Sequence, residues 1–262
     1  MCLLFFSYKL TPGYNLVLAA NRDEFLDRPT APLDYIDREK TILAGRDLRD
    51  GGTWLGLGKH GKIAAITNFR KGDTPRTDAP SRGEIIDSFL KSGDPAKKFI
   101  TQLREKAHRY NGFNLLAGDG NGLFYFTNQK VDKAITPLKP GYYGLCNHFL
   151  DSPWPKLVRG KKRLKPEMVE TNKVDPTKIF SLLQDTWRPD DNSLPRTGVG
   201  LKWERLLGSI FINAPNYGTR SSAVITIKEN GKTSFYEKNY DRDAKNDSIV
   251  CFNMKPTPRN GI

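Results

Sequence analysis

Short apolar runs separated by turn residues dominate this chain; long helical periodicities are few. Residues 3–6 (Leu-Leu-Phe-Phe) and 16–20 (Leu-Val-Leu-Ala-Ala) flank Thr11-Pro12-Gly13, where proline fixes φ and glycine accepts the positive φ of a tight turn. The pattern predicts an opening β-hairpin that runs into Asn21-Arg22-Asp23-Glu24. A turn near Pro12 puts Cys2 across from Arg22 or Asp23. Residues 27–50 are polar with two prolines and predict loop with short edge strands. A second hairpin is expected over 51–68, turning at Gly58-Lys59-His60-Gly61 and ending in Asn68, followed by a polar loop at 71–80 that could act as a lid.

Two helical stretches come next. Ser81-Arg82-Gly83-Glu84 matches a capping box ahead of Ile85, Ile86, Phe89 and Leu90. Asp94-Pro95 reads as an N-cap with proline at the first helical position, ahead of Ala96, Phe99, Ile100, Leu103 and Ala107. Strands resume at 113–117 and 123–127 around a glycine-rich joint that no helix follows, so it reads as a hairpin turn and not a phosphate cradle. A further strand is expected at 142–147, ending in Asn147. Residues 153–169 predict a basic helix, and Asp175-Pro176 opens another. Residues 189–200 are loop. A hairpin over 222–239 turns at Asn230-Gly231, with Arg220 just before it. Hairpin after hairpin, with helices in two blocks, defines an α+β chain of antiparallel sheets covered by helices. It is expected to form one domain over 1–262, with 255–262 a loose tail.

Composition narrows the function classes. With 37% apolar and 11% aromatic residues the chain can build a core, and no run reaches the roughly 20 apolar residues of a membrane span. The first ten residues lack a basic region and a long enough apolar region for a signal peptide. Cys2, Cys146 and Cys251 are odd in number and widely spaced, which argues against a disulfide scaffold and for a reducing compartment; the expected location is cytoplasmic, organelle-associated (for example mitochondrial) in a eukaryote. The net charge of +13 is concentrated in Lys156, Arg159, Lys161, Lys162, Arg163 and Lys165. Without a recognition fold or stacking aromatics this stripe does not indicate nucleic acid. It reads as a solvated helix face, with a peripheral membrane contact as the alternative. Neither His60, His108 nor His148 has a metal-ligand spacing partner, so no metal site is expected.

Cys2 carries the candidate chemistry. Removal of Met1 would leave a thiol and a free α-amine on one residue, with ordinary pKa values of about 8.5 and 7.7–8.0. Proton transfer between them is then nearly isoenergetic, and the base is held covalently. Arg22 could lower the thiol pKa further and Asp23 could orient the ammonium. The alternative is a small buried hydrophobe, the ordinary fate of a cysteine.

Met1-Cys2, Asn21 to Glu24, Gly51-Gly52-Thr53-Trp54-Leu55-Gly56, Thr67-Asn68-Phe69-Arg70, the string GLCNHFLDSPWPK over 144–156 and Tyr217-Gly218-Thr219-Arg220-Ser221-Ser222 together resemble the NRDE family, the transport and Golgi organization proteins. Cys146 stands where that family is expected to have serine. The family is similar to N-terminal nucleophile hydrolases, which implies a four-layer αββα sandwich of two antiparallel sheets. Similarity to the choloylglycine hydrolase and penicillin V acylase group implies Cys2 as nucleophile, Asn68 and Asn147 as oxyanion-site asparagines and Arg220 as the late arginine. That group spaces its Arg and Asp with two residues between, whereas Arg22 and Asp23 are adjacent and point to opposite faces unless the strand ends or bulges there.

The resemblance implies cleavage or transfer of an acyl group of a small amide or thioester, needing no cofactor. A small acyl or lipid-like ligand is the expected partner, and Trp54 and Trp154 would suit it unless they are core residues. The family's association with haem and lipid handling implies the rival, a carrier without chemistry, with haem as its cargo.

Overall fold

The computed structural model describes residues 2–130, 132, 134–240 and 249–254, and for Cys2 only its place in the backbone. In chain order the strands and helices are β1 (Cys2–Tyr8), β2 (Tyr14–Phe25), β3 (Thr30–Tyr35), β4 (Leu43–Asp47), β5 (Leu55–Leu57), β6 (Ile63–Asn68), α1 (Gly83–Lys91), α2 (Ala96–Lys106), β7 (Phe113–Asp119), β8 (Gly122–Thr127), β9 (Thr136–Pro137), β10 (Gly141–Leu145), α3 (Pro155–Met168), α4 (Pro176–Leu183), α5 (Leu201–Leu206), β11 (Tyr217–Lys228), β12 (Thr233–Asn239) and β13 (Ile249–Met254). They form two compact units, each on one antiparallel sheet with its own helices. The expected α+β class and every expected hairpin are present.

The first unit gathers the chain up to Asp27, the short segment Arg70–Asp73, and Lys139–Met254. Its sheet runs in the order β10-β1-β2-β11-β12-β13. β1 and β2 form the opening hairpin because Gly13 takes a φ of +77° at the turn, and the register pairs Cys2 with Arg22. Leu3, Phe5, Val17, Ala19 and Val224 share a core with Leu157, Leu164 and Met168 of α3 and Ile179, Phe180 and Leu183 of α4. Gly160 lets α3 lie close to the sheet: a Cβ there would fall 2.1 Å from the Phe5 ring. Leu4, Phe6, Leu18 and Ile225, on the other face, are buried as well. α4 is capped as expected, with the Asp175 side chain accepting the Thr177 N–H.

The second unit spans Arg28–Phe69 and Thr74–Leu138 among the described residues, with sheet order β3-β4-β5-β6-β7-β8-β9. Ala64, Ile66, Phe113, Leu115, Ala117 and Phe126 pack against Ile86, Phe89, Ile100 and Leu103 of α1 and α2.

Local capping departs from expectation at both of these helices. Ser81 does not close a capping box: its Oγ accepts the Gly83 N–H, while the Glu84 carboxylate accepts the Tyr110 hydroxyl at 2.6 Å. The start of α2 is capped from afar, by Asp119 of β7 accepting the Ala96 N–H at 2.6 Å, and Asp94 pairs with Lys98 instead. α5 and β13 lie where the sequence pattern predicts no element, and β10 ends at Leu145, two residues short of Asn147. Arg220 lies within β11, not before it. The expected tail at 255–262 falls outside the described residues.

Candidate functional site

The end of β2 is unusual for an antiparallel sheet, because Arg22 and Asp23 are both buried there. Alternation along the strand puts Asp23 and Asn21 on the face that α3 and α4 cover, and Arg22 on the opposite face with Leu18 and Ala20. The Asn21 amide donates to the carbonyls of Leu183 at 3.0 Å and Ile210 at 2.9 Å. Asp23 is held by β11: the Thr219 hydroxyl donates to its Oδ1 at 2.7 Å, and the Tyr217 hydroxyl donates to its carbonyl at 3.1 Å. The β2–β11 register then shifts between Thr219 and Ser221, so that Arg220 is the extra residue of a bulge. The irregularity needed beside the adjacent Arg22-Asp23 pair therefore sits on the neighbouring strand. Arg220 donates from Nη1 to the carbonyls of Phe25 and Leu26, at 3.0 Å each, and so clamps the exit of β2.

Asn147 is buried just past β10, and its carbonyl accepts the Arg70 N–H at 2.7 Å. Cys146 before it is a buried thiol in no disulfide. His148 lies 2.7 Å from the Ser152 hydroxyl and against the Trp154 ring; burial and the nearby Arg70 push its pKa down. Asn68 closes β6 in the second unit and is partly exposed. The sequence-derived residues Arg22, Asp23, Asn147 and Arg220 thus belong to the first unit with the Cys2 backbone, and Asn68 to the second. Trp154 is a core residue and Trp54 packs against the second core, which settles both in favour of packing.

Three charged residues missed by sequence reasoning complete the buried cluster of the first unit. Arg70 is 6% exposed, its guanidinium 4.4 Å from the Trp154 ring and 3.3 Å from Glu204, itself 4% exposed. Glu204 also accepts the backbone and hydroxyl of Thr197. Lys156 is 3% exposed in the first turn of α3. This corrects its reading as part of a solvated stripe. Lys156, Gly160, Leu164 and Met168 follow one another at intervals of four and line the buried side of α3; that interval was the available signal. The other cations of the stripe are exposed or partly so, with Arg159 and Arg163 on Asp185, Lys161 on Asp151 and Lys165 on Glu170.

Burial raises the pKa of Asp23, opposed by Lys156 and the Thr219 hydrogen bond. Burial lowers that of Lys156, opposed by Cys146 and Asp23, and raises that of the Cys146 thiol, opposed by Lys156 and Arg70. The cluster is therefore a set of ionisable groups held out of water, the setting in which protonation states are tuned. Among the described residues no group of His, Cys, Asp and Glu is arranged to hold a metal ion, and no helix is long and apolar enough to cross a membrane.

Two antiparallel sheets with helices make this an N-terminal-nucleophile-hydrolase-like fold. The C2A mutant of the conjugated bile acid hydrolase from Clostridium perfringens superposes with a TM-score of 0.51 at 11% identity, covering 95% of this chain and 92% of that one, a likeness of fold alone. The chain belongs to the Transport and Golgi organisation 2 family, which it matches over residues 1–242. It is 34% identical over 266 residues to the Transport and Golgi organization 2 homolog of Mus musculus, covering 93% of this chain and 95% of the relative. To the Transport and Golgi organization protein 2 of Drosophila melanogaster it is 26% identical over 264 residues, covering 91% of this chain and 92% of the relative.

Proposed function

We propose that the protein is a hydrolase or acyl transferase acting on a small amide or thioester, with Cys2 as an N-terminal nucleophile. The observation that carries this reading is the register pairing Cys2 with Arg22 at a sheet end where Arg22 and Asp23 are buried. In this reading the Arg22 guanidinium favours the thiolate, and Asp23 orients the α-amine freed by removal of Met1. The thiolate adds to the carbonyl carbon and the amine hands its proton to the leaving group. Water then cleaves the acyl-thioester, returning the thiol. Asn147, in the same unit as Cys2, is the proposed oxyanion donor. Arg220 serves by shape, holding the bulge beside Asp23. The shared fold supports the reading, and the bile acid hydrolase that superposes is itself a C2A mutant, altered at that enzyme's own second residue.

Carriage of a lipid-like ligand or haem is the rival, and the relatives' name, with its reference to transport, favours it. Intact mass of protein from its native cell, a screen of N-acyl amides and acyl thioesters, and haem titration separate the two. An enzyme of this type loses Met1, and Cys2→Ser stops turnover and accumulates an ester adduct visible by mass spectrometry. Retained Met1, no turnover, and haem binding indifferent to Cys2→Ser would replace the hydrolase by the carrier.

A further inference from the structure

We propose that the outward face of α3, together with Trp187 on the loop after α4, docks on an anionic lipid surface. This inference is independent of the nucleophile reading. It chooses between the solvated face and the peripheral membrane contact that the basic stripe leaves open.

The face follows from the way α3 lies on its sheet. Lys156, Gly160, Leu164 and Met168 turn inward. The opposite side of the helix therefore carries Val158, Lys162 and Pro166, again at intervals of four, and all three are exposed. Arg159 and Arg163 flank this ridge on one side, Lys161 and Lys165 on the other. Two large apolar side chains stand in water here, Val158 at 56% exposure and Trp187 at 40%. The indole is held in place and not merely left over. The Arg159 guanidinium carbon lies 4.8 Å from its ring centre. The Asp185 carboxylate accepts Arg159 Nε at 2.7 Å and the Trp187 N–H at 3.0 Å, and Arg163 Nε lies 3.4 Å from it. One buried-side helix, one carboxylate and one guanidinium thus fix an exposed tryptophan against the basic edge of α3.

The chemistry of the face selects its occupant. Asp185 serves two arginines, and among the described residues Lys162 and Arg188 have no ion-pair partner, so pairing leaves positive charge over. Lys161 and Lys165 hold their partners, Asp151 and Glu170, only in surface pairs, which are weak. A free anion would answer the charge and leave Val158 and Trp187 in water. A bilayer with anionic headgroups answers both: its surface charge draws the cations, and the indole and Val158 enter the boundary between headgroups and acyl chains, where tryptophan is favoured. Contact of this kind is peripheral, in keeping with the lack of a membrane-spanning helix among the described residues.

The test is cosedimentation of the full-length protein with phosphatidylcholine vesicles made with and without phosphatidylserine. Binding is expected only with phosphatidylserine, weakening as salt rises and accompanied by a shift of tryptophan emission to shorter wavelength. Lys162→Gln and Arg188→Gln each remove one cation and should weaken that binding about fivefold. Trp187→Ala should weaken it too and abolish the emission shift. Lys97→Gln, on an exposed position of α2 in the second unit, makes the same change in net charge and should leave binding unaltered. Equal losses in Lys97→Gln and Lys162→Gln would show that total charge and not this face is read, and would overturn the proposal. Equal binding to vesicles without phosphatidylserine, an affinity indifferent to Trp187→Ala, or no binding at all would also overturn it. Tighter binding of a single-stranded oligonucleotide, with the same dependence on Lys162 and Trp187, would replace the lipid surface by nucleic acid.

Discussion

Lys62 in the second unit and Lys156 in the first are withdrawn from water to a similar depth, at 6% and 3% exposure, but the ends of the helices they meet are opposite. Lys62 lies at the C-terminus of α1. Its amine donates to the carbonyls of Phe89 at 3.1 Å and Ser92 at 2.6 Å and to the Ser92 hydroxyl at 3.2 Å, and rests 4.6 Å from the Phe89 ring centre. It satisfies carbonyls that the helix leaves open, at the end where the dipole favours a cation. Lys156 occupies the first turn of α3, at the end where the dipole disfavours a cation, and burial lowers its pKa against the opposing pull of Cys146 and Asp23. The same residue type, nearly equally withdrawn from water, closes a helix C-terminus in one unit and sits at a helix N-terminus among ionisable groups in the other. Burial alone therefore does not say what holds a charge; the helix end and the groups that it meets do.

The largest expected effect tests the ion pair beside Lys156. Arg70→Met strands the buried Glu204 carboxylate and should cost about 3–5 kcal/mol in urea unfolding. Adding Glu204→Met should recover part of that loss, and strictly additive losses would show that the two side chains do not act as a pair. Next, Lys62→Met should cost about 2–3 kcal/mol, since it removes charge-assisted bonds from three acceptors. Lys156→Met should cost less than about 1 kcal/mol, because an apolar chain replaces a desolvated amine and Asp23 can take up a proton. Equal losses at the two lysines would erase the contrast.

The smallest effect concerns a carboxylate whose role is entirely local. Burial disfavours the Asp37 charge, but donors from Thr41 and Ile42 together outweigh it, so its pKa is lowered. Its contribution is present above the ordinary Asp range and is lost as pH falls through the lowered value. Protection of the amides in the β3–β4 connection, measured against their intrinsic exchange rates, should therefore fall in acid, and Asp37→Asn should flatten that dependence. The buried cluster of the first unit runs the other way at Asp23: its raised pKa means that the folded state holds a proton the unfolded chain would release, so stability there declines as pH rises between the unfolded and folded values.

Much of the fold was legible because its signals are local. The turn at Thr11-Pro12-Gly13 narrowed the partner of Cys2 to Arg22 or Asp23, of which the register takes Arg22, and Asn230-Gly231 gave the β11–β12 hairpin, with Gly231 at a φ of +81°. Asp175-Pro176 starts α4 as expected. Where a partner came from elsewhere in the chain, local reasoning failed: Asp119 took the capping role expected of Asp94, and Tyr110 took the Glu84 carboxylate from its capping box. The short α5 was missed because six residues carry too little periodicity to stand out.

For the candidate site the division is similar. Turn chemistry and the family resemblance named Cys2, Arg22, Asp23, Asn68, Asn147 and Arg220 one by one as candidates. Sequence also showed Arg70 and Lys156 as members of motif strings, without showing that they are buried. Only the tertiary structure decided that the first turn of α3 faces the sheet, that Glu204 of a six-residue helix meets Arg70, and that the bulge beside Asp23 lies at Arg220. The physical reason is range: a turn is settled by the φ preferences of two or three neighbouring residues, whereas the cost of a buried charge depends on what segments more than a hundred residues away bring to it.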